Sequence, residues 1–249
     1  MLGGGLPTDR LYLLEGDPGS GKTTLALQFL MEGVANGEPA LYVTLSESHD
    51  ELLAVAASHG WSLDGITICE LTASEESLNP ETQNTVFEPA ELELGETLFR
   101  VMAEVDRVKP RRLVFDSLSE VRLLAQSSLR YRRQTLGLKQ YLTGRNCTVI
   151  LVDDRTSEPG DLQLHSIAHG VISLEQLVPE FGGARRRLRI SKLRGREFRG
   201  GYHDFKILRG GVTVFPRLIA AEHRQSTQNG QLPSGVAEID ALLNGGVDR

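Results

Sequence analysis

Cysteine and tryptophan are scarce in this 249-residue sequence, which has two cysteines and one tryptophan. Cys69 and Cys147 each belong to an apolar run with strand character, which predicts buried thiols in place of a disulfide or a metal pair. Long apolar runs are absent: none approaches the ~20 residues of a membrane-spanning helix. The segment around Met1 lacks the pattern of a signal peptide. We therefore expect no membrane association and a cytoplasmic location.

Neither basic nor acidic residues are in strong excess. The sequence has 27 Lys and Arg residues against 33 Asp and Glu residues, for a formal net charge of −6. This total gives no support for non-specific DNA binding, although a local basic patch could still bind nucleic acid. Hydrophobic residues make up 40% and charged residues 24%, as in ordinary globular proteins. The length suits one α/β domain with insertions.

The apolar residues alternate between strand and helix patterns over the first two thirds of the chain. Strands are predicted near residues 10–15, 40–45, 66–71, 112–116 and 147–153, and helices near 23–36, 49–59, 90–108 and 129–144. This alternation predicts βαβ units and a parallel sheet covered on both faces. Beyond residue 170 the runs become short and glycine pairs separate them, which predicts antiparallel hairpins that extend one edge. Residues 72–90 are predicted to form a long loop.

The segment from Gly16 to Thr23 matches the pattern G-x-x-x-x-G-K-[ST] between a predicted strand and a predicted helix. Glycines let the backbone N–H groups surround phosphates, and the following helix directs its positive end toward them. Lys22 would neutralise phosphate oxygens and Thr23 would ligate Mg²⁺. The motif predicts ATP and Mg²⁺ as ligands. The predicted binding residues are Asp17, Pro18, Gly19, Ser20, Gly21, Lys22, Thr23 and Thr24.

Two carboxylates follow predicted strands and are candidates for metal binding and catalysis. Asp116 ends the strand at 112–116, where it could hold the water shell of Mg²⁺, cap the next helix, or do both. With Thr23 it forms the predicted metal site. Glu47 follows the strand at 40–45 and is the candidate to orient or deprotonate the attacking water. The alternative is that Glu47 is an ordinary solvated loop residue.

An arginine-rich segment occupies residues 185–199, where positive residues alternate with apolar ones. This pattern predicts a strand with one cationic face. Three interpretations remain open: a nucleic-acid groove, a subunit interface that reaches a neighbour's triphosphate, or a solvated edge strand protected by charge. His165 and His169 are four residues apart, but no third metal ligand accompanies them. We expect polar surface or capping roles for both histidines.

The two ends of the chain resemble each other. Glycine-rich turns occur within residues 1–10 and again within 242–249, the second preceded by residues 234–240. Chance similarity of such turns is the alternative. We expect residues 1–222 to form one domain, with 223–249 as a linker and the truncated start of a second repeat. The sequence would then be one repeat of a longer tandem protein, or a truncated form of one.

Taken together, these motifs resemble the KaiC family of RecA-like ATPases over nearly the whole chain. The resemblance rests on segments in matching order and spacing, at residues 3–7, 16–24, 42–47, 114–117, 192–195 and 211–216. It implies an α/β RecA-like P-loop NTPase core with a mostly parallel sheet flanked by helices. It also implies an ATPase that assembles into a ring, usually a hexamer, with ATP between subunits. Clock-like or signalling proteins are further partners that it suggests.

The resemblance also implies roles for particular residues. Lys192 and Arg194 stand where family members carry a Lys-x-Arg pair that reaches the neighbouring subunit's phosphates. Two adjacent glutamates commonly follow the second strand in the family, the first being the one that activates water. Ser46 and Glu47 stand there in this sequence. Either Glu47 has taken over that role or hydrolysis is slow. The predicted catalytic residues are Lys22, Glu47, Asp116, Lys192 and Arg194.

Two rival functions remain open. The complete tandem protein could be an autophosphorylating serine/threonine kinase, but in the family that activity belongs to the second unit, and no phosphorylation site is assigned here. A RecA-type or helicase-type DNA-dependent ATPase would need channel loops, near residues 118–133 and 155–166. The second of these segments contains Glu158 and Asp161, which disfavour a phosphate backbone. We do not expect nucleic acid as a partner.

Overall fold

The computed structural model describes residues 1–71, 89–155, 163–219, 231–243, 245 and 247–248. The chain divides into two compact units, Met1–Pro216 and Arg217–Arg249. The larger unit contains the P-loop and all the predicted site residues. The predicted domain boundary after residue 222 stays a prediction.

The larger unit is built on one mixed β-sheet, which has nine strands in the described part of the chain. Along the sheet the strands follow the order β3-β2-β4-β5-β1-β6-β7-β8-β9. Neighbours from β3 to β6 pair in parallel, whereas β7, β8 and β9 are added antiparallel at one side. The predicted RecA-like arrangement is confirmed. The strands are β1 (Leu11–Gly16), β2 (Ala40–Thr44), β3 (Ile66–Glu70), β4 (Arg112–Asp116), β5 (Thr148–Asp153), β6 (Gly170–Leu177), β7 (Arg185–Leu193), β8 (Tyr202–Leu208) and β9 (Gly211–Phe215).

Helices cover both faces of this sheet. Successive side chains of a strand point to opposite faces, and β1 shows the consequence. Leu11 and Leu13 belong to one buried apolar cluster, whereas Tyr12 and Leu14 belong to another. A strand buried on both sides needs a continuous apolar run, which is why 11–14 contains no charged residue. The helices are α1 (Lys22–Ala35), α2 (His49–His59), α3 (Pro89–Val108), α4 (Leu118–Ala125), α5 (Ser128–Leu142) and α6 (Gln163–Ile167).

A capping box at the start of α2 fixes the loop that carries Glu47. The Ser48 hydroxyl accepts a hydrogen bond from the Glu51 backbone N–H at 3.3 Å, and the Glu51 carboxylate accepts one from the Ser48 N–H at 2.7 Å. This exchange satisfies amide groups that a helix start otherwise leaves unpaired. The helix therefore begins two residues after the candidate catalytic residue, with Ser48 as its cap.

Two interpretations that the sequence left open are wrong. Residues 118–133, considered as a channel loop, form α4 and the first turns of α5. The arginine-rich strand β7 is not an edge strand, because β6 and β8 pair with it on both sides. Two of its charges pair with carboxylates on the neighbouring strands: Arg185 bonds to Asp204 at 2.9 Å and Arg187 to Glu175 at 2.8 Å. Charge protection of an exposed edge does not explain this segment.

The two cysteines are free thiols; Cys147 is buried just before β5 and Cys69 is half-buried in β3. The predicted loop at 72–90 lies almost entirely outside the described residues, as do Glu158 and Asp161. No helix in the described ranges is long and apolar enough to cross a membrane.

The smaller unit contains β10 (Gln231–Leu232) paired antiparallel with β11 (Val247–Asp248), and helix α7 (Ala237–Leu242).

Candidate nucleotide site

The P-loop connects the end of β1 to the start of α1, as predicted. Gly21 immediately precedes the helix with a φ of 104°, a backbone conformation that residues with side chains rarely adopt. No side chain from the described residues caps this helix end. Its first N–H groups are therefore oriented to receive an anion.

A cavity of about 350 Å³ opens beside this loop. Its lining combines the P-loop with the ends of three strands: β2, β4 and β5. A groove of about 790 Å³ along α5 is larger, but no carboxylate is among its lining residues in the described chain. The smaller cavity therefore contains the candidate chemistry. Its lining residues are Pro18, Gly19, Gly21, Lys22, Thr23, Thr24, Ser46, Glu47, Val55, Asp116, Asp154 and Ile207.

Lys22 is buried at the base of the cavity. Its ammonium donates hydrogen bonds to the carbonyl oxygens of Gly16 at 2.8 Å and Asp17 at 3.0 Å. It also forms an ion pair with Asp154 at 2.7 Å. Asp154 was not predicted as a site residue. The only sequence signal was its position after the strand in an Asp-Asp pair, which does not reveal its partner.

Asp116 lies at the end of β4 with only 6% of its surface exposed. The Tyr42 hydroxyl donates a hydrogen bond to it at 2.5 Å. Burial raises the pKa of Asp116 to about 6, and the negative charge of Asp154 adds to this, whereas the Tyr42 hydrogen bond and the Lys22 charge lower it. Tyr42 was also missed, because its contact depends on the pairing of β2 with β4.

Glu47 reaches the cavity from the loop after β2. The Thr23 hydroxyl donates a hydrogen bond to Glu47 Oε1 at 3.3 Å, while Glu47 Oε2 is buried without a partner among the described residues. Desolvation by burial is the main cause that raises the pKa of Glu47 to about 7, and the negative charge of Asp116 raises it further. The hydrogen bond from Thr23 partly offsets these effects by lowering the pKa. The Thr44 hydroxyl accepts from the Glu47 backbone N–H at 2.9 Å and so fixes the loop.

The predicted loop residues contribute in different ways. The carbonyl of Asp17 accepts from Lys22, and Ser20 is fully buried with a hydroxyl that has no partner in the described chain. Thr24 faces His59, with 3.4 Å between Oγ1 and Nε2. The structure thus brings most of the predicted loop residues, Glu47 and Asp116 to one cavity, whereas Asp17 and Ser20 do not line it.

Lys192 and Arg194 lie elsewhere in the same chain. The Lys192 ammonium donates to the carbonyl of His165, and Arg194 donates to that of Ser166 at 3.2 Å. Both cations thus bind backbone oxygens of α6, on the same side of β7. Burial, followed by the charges of Arg194 and Lys139, lowers the pKa of Lys192. Neither residue lines the cavity beside the P-loop.

The paired histidines do not meet as metal ligands. His165 Nε2 lies 2.8 Å from a carboxylate oxygen of the buried Glu15, and His169 Nδ1 lies 3.5 Å from the Leu11 amide nitrogen. Within the described residues, no group of three His, Cys, Asp or Glu side chains could hold a metal ion.

The sequence of this chain matches a known protein family. The sequence model described as "ATPase: KaiC" matches residues 1–219. The chain belongs to the KaiC ATPase family. This membership supports an ATPase domain of the P-loop NTPase type, and it confirms the resemblance that the motifs indicated.

Several KaiC relatives align with nearly all of this KaiC-family chain. The circadian clock oscillator protein KaiC of Nostoc sp. (strain PCC 7120 / SAG 25.82 / UTEX 2576) is 32% identical over 248 residues, which cover 98% of this chain and 47% of that protein. The protein of the same name from Synechococcus elongatus (strain ATCC 33912 / PCC 7942 / FACHB-805) is 30% identical over 248 residues, with the same coverage. The chain therefore spans about half the length of the curated relatives it matches.

Proposed function

We propose that this KaiC-family domain binds ATP with Mg²⁺ at the P-loop, hydrolyses it slowly, and assembles into a ring with nucleotide between subunits. One observation carries the catalytic part of the proposal. Glu47 Oε2 is a buried carboxylate oxygen without a described partner, and its residue lines the same cavity as Lys22 and Thr23.

The residues present fit a nucleoside triphosphate and its metal. An added Cβ at Gly19 would meet nothing within 4 Å, so the loop backbone can approach phosphates closely. Lys22 would neutralise phosphate charge, and the Thr23 hydroxyl with the Asp116 carboxylate would hold Mg²⁺ directly or through its water shell. When bound, Mg²⁺ supplies neutralisation of the charge that develops on the phosphate oxygens.

Glu47 is proposed to accept the proton of the attacking water. A general base works best when its pKa lies near the operating pH, and the pKa of Glu47 is raised to about 7. Desolvation and the nearby Asp116 charge therefore prepare this side chain for the role. Because Ser46 precedes it, Glu47 acts without an adjacent glutamate, and we propose that hydrolysis is slow.

The second part of the proposal assigns Lys192 and Arg194 to the neighbouring subunit's nucleotide. They bind carbonyl oxygens of α6 and do not line their own chain's cavity. A cation supplied by a neighbour can stabilise the transferring phosphoryl group. Arg194 is exposed and is therefore accessible to a neighbouring subunit.

Size-exclusion chromatography with light scattering, combined with phosphate-release measurements, tests this proposal. The full chain should form a discrete oligomer with ATP and Mg²⁺ and should release phosphate. Lys22→Ala alone should release no phosphate, although circular dichroism should show that it is folded. A wild-type protein that releases no phosphate, or that stays monomeric with ATP and Mg²⁺, would contradict the corresponding half of the proposal.

A further inference from the structure

The Lys22 ammonium has a full set of acceptors within its own chain. It binds the carbonyl oxygens of Gly16 at 2.8 Å and Asp17 at 3.0 Å, and Asp154 Oδ1 at 2.7 Å. An ammonium group has three N–H donors, so these contacts occupy all of them. Any additional acceptor must displace one of the three.

Asp154 is the acceptor that can be displaced without moving the P-loop. The two carbonyls belong to the loop backbone, whereas the Asp154 side chain approaches from the residue after β5. That side chain is 30% exposed, compared with 7% for Lys22, and it lines the cavity. Among the described residues, its other oxygen is held by the hydroxyls of Ser117 and Ser119, each at 3.5 Å.

A bound polyphosphate and the Asp154 carboxylate both bind the Lys22 ammonium as anionic acceptors. The P-loop lysine neutralises phosphate oxygens, and a carboxylate and a phosphate are both anionic acceptors for an ammonium. We propose that Asp154 competes with the nucleotide's phosphates for Lys22 and thereby weakens nucleotide affinity. This inference rests on the proposed function, because it places a nucleoside polyphosphate at this loop.

The size of the effect follows from a population argument. If nucleotide binds fully only when Lys22 is released, the apparent dissociation constant is the intrinsic value divided by the fraction of lysine that Asp154 leaves free. The Asp154 charge also repels a nearby phosphate. Asp116 is proposed to assist nucleotide binding through Mg²⁺, so its neutralisation should weaken binding. Neutralisation of Asp154 should have the opposite effect and tighten nucleotide binding.

Titration of the full chain with a fluorescent ATP analogue and Mg²⁺ tests the competition. Asp154→Asn keeps the side-chain size but removes the charge, and it should bind about tenfold more tightly than wild type. Asp50→Asn makes the same change in net charge at an exposed position of α2 and should stay within about twofold of wild type. Asp154→Glu retains the charge and should keep weak binding.

Thermal unfolding provides a readout that does not depend on turnover. Without nucleotide, Asp154→Asn should unfold at a lower temperature than wild type, because the buried Lys22 loses its charged partner. Saturating ATP and Mg²⁺ should close this gap, because phosphates then supply the missing anion. A purely structural role for Asp154 would leave the gap unchanged at saturation.

The outcomes separate this inference from the proposed function. If wild type binds the ATP analogue and Asp154→Asn binds it no more tightly, the competition is overturned but the proposed function is not. A difference in melting temperature that persists at saturating ATP and Mg²⁺ has the same consequence. A wild-type protein that binds no ATP would overturn the proposed function, and the competition with it. If circular dichroism shows Asp154→Asn to be unfolded, Asp154→Ser takes its place in the same comparisons with the same expectations.

Discussion

At the scale of single residues, one cavity gives its carboxylates different environments. Desolvation raises the pKa of both Asp116 and Glu47, but Asp116 also accepts a hydrogen bond from Tyr42 and lies near Lys22, which partly restores its ionised form. Glu47 has Thr23 as its main stabilising contact, and its pKa is raised further, to about 7. The pKa of both carboxylates is raised, but their hydrogen-bond partners differ, and we propose metal binding for Asp116 and proton acceptance for Glu47.

We expect Glu47→Gln to retain nucleotide affinity and to slow phosphate release by about 10²-fold, because the amide keeps the shape of the side chain but cannot accept a proton. Phosphate release at saturating ATP measures this effect. Glu32→Gln, the same change at an exposed position of α1, should behave like wild type. A Glu47→Gln protein as fast as wild type would transfer the role to another group.

The raised pKa of Glu47 predicts a pH dependence. A general base must be ionised, so kcat/KM should rise with pH from about 6 to about 8 around the free-enzyme pKa of this residue. Its ordinary value of 4.5 would instead leave the profile flat in that range. Steady-state rates across this range, for wild type and Glu47→Gln, make the comparison. A rise that is equally strong in Glu47→Gln would have to come from another group.

Some of the candidate site was predictable at this scale and some was not. Lys22 and Thr23 belong to a contiguous motif, and Glu47 and Asp116 follow apolar strands, so their positions were readable from local patterns. Asp154 and Tyr42 act through contacts between segments that are far apart in sequence. Tyr42 lies opposite Val114 and reaches Asp116 only because β2 pairs with β4. Local pattern carries no information about that register.

At the scale of elements, periodicity predicted strands and helices but not how they are ordered. The five strands predicted before residue 160 are confirmed, with boundaries that differ by a residue or two. Helix α4 was missed because its eight residues provide only two turns of apolar spacing, and its arginine favoured a loop interpretation. An edge position was one of three interpretations of the strand β7, because alternating charge resembles edge protection. In the structure two of its arginines are matched by Glu175 and Asp204 on neighbouring strands.

The junction between β1 and the P-loop tolerates no side chain. A Cβ at Gly16 would lie 2.6 Å from the Leu174 carbonyl oxygen and 2.6 Å from Ser20 Oγ. We expect Gly16→Ala to cost about 1–3 kcal/mol of unfolding free energy, the usual penalty for overpacking, and to weaken ATP binding. Denaturant unfolding and nucleotide titration measure the two effects.

A matched control for this change lies inside helix α5. At Gly137 a Cβ would meet nothing within 4 Å, and alanine is the better helix former by about 0.5–1 kcal/mol. Gly137→Ala should therefore stabilise the protein and leave ATP binding unchanged. Equal destabilisation by both substitutions would show that the contact at Gly16 is not the cause.

At the scale of the whole molecule, the residues proposed for the ATPase site lie at two separate places in the described chain. The P-loop, Glu47 and Asp116 surround one cavity, whereas Lys192 and Arg194 bind α6 away from it. A ring offers a physical reason for this separation, because the second group on one subunit can serve the cavity of the next. The contacts with α6 would then keep both cations oriented until a neighbour's phosphates replace the carbonyl acceptors.

The trans arrangement predicts complementation between two inactive variants. Arg194→Ala should bind ATP but hydrolyse it poorly, because a cation supplied in trans contributes ~10³–10⁵-fold to the rate in related phosphoryl transfers. Lys22→Ala cannot use ATP but still presents an intact Arg194. In mixed rings, an Arg194→Ala subunit beside a Lys22→Ala subunit regains a complete site, so phosphate release should exceed that of either variant alone. If mixed rings form, as native mass spectrometry can verify, and activity is only the average of the two, Arg194 does not act across the interface.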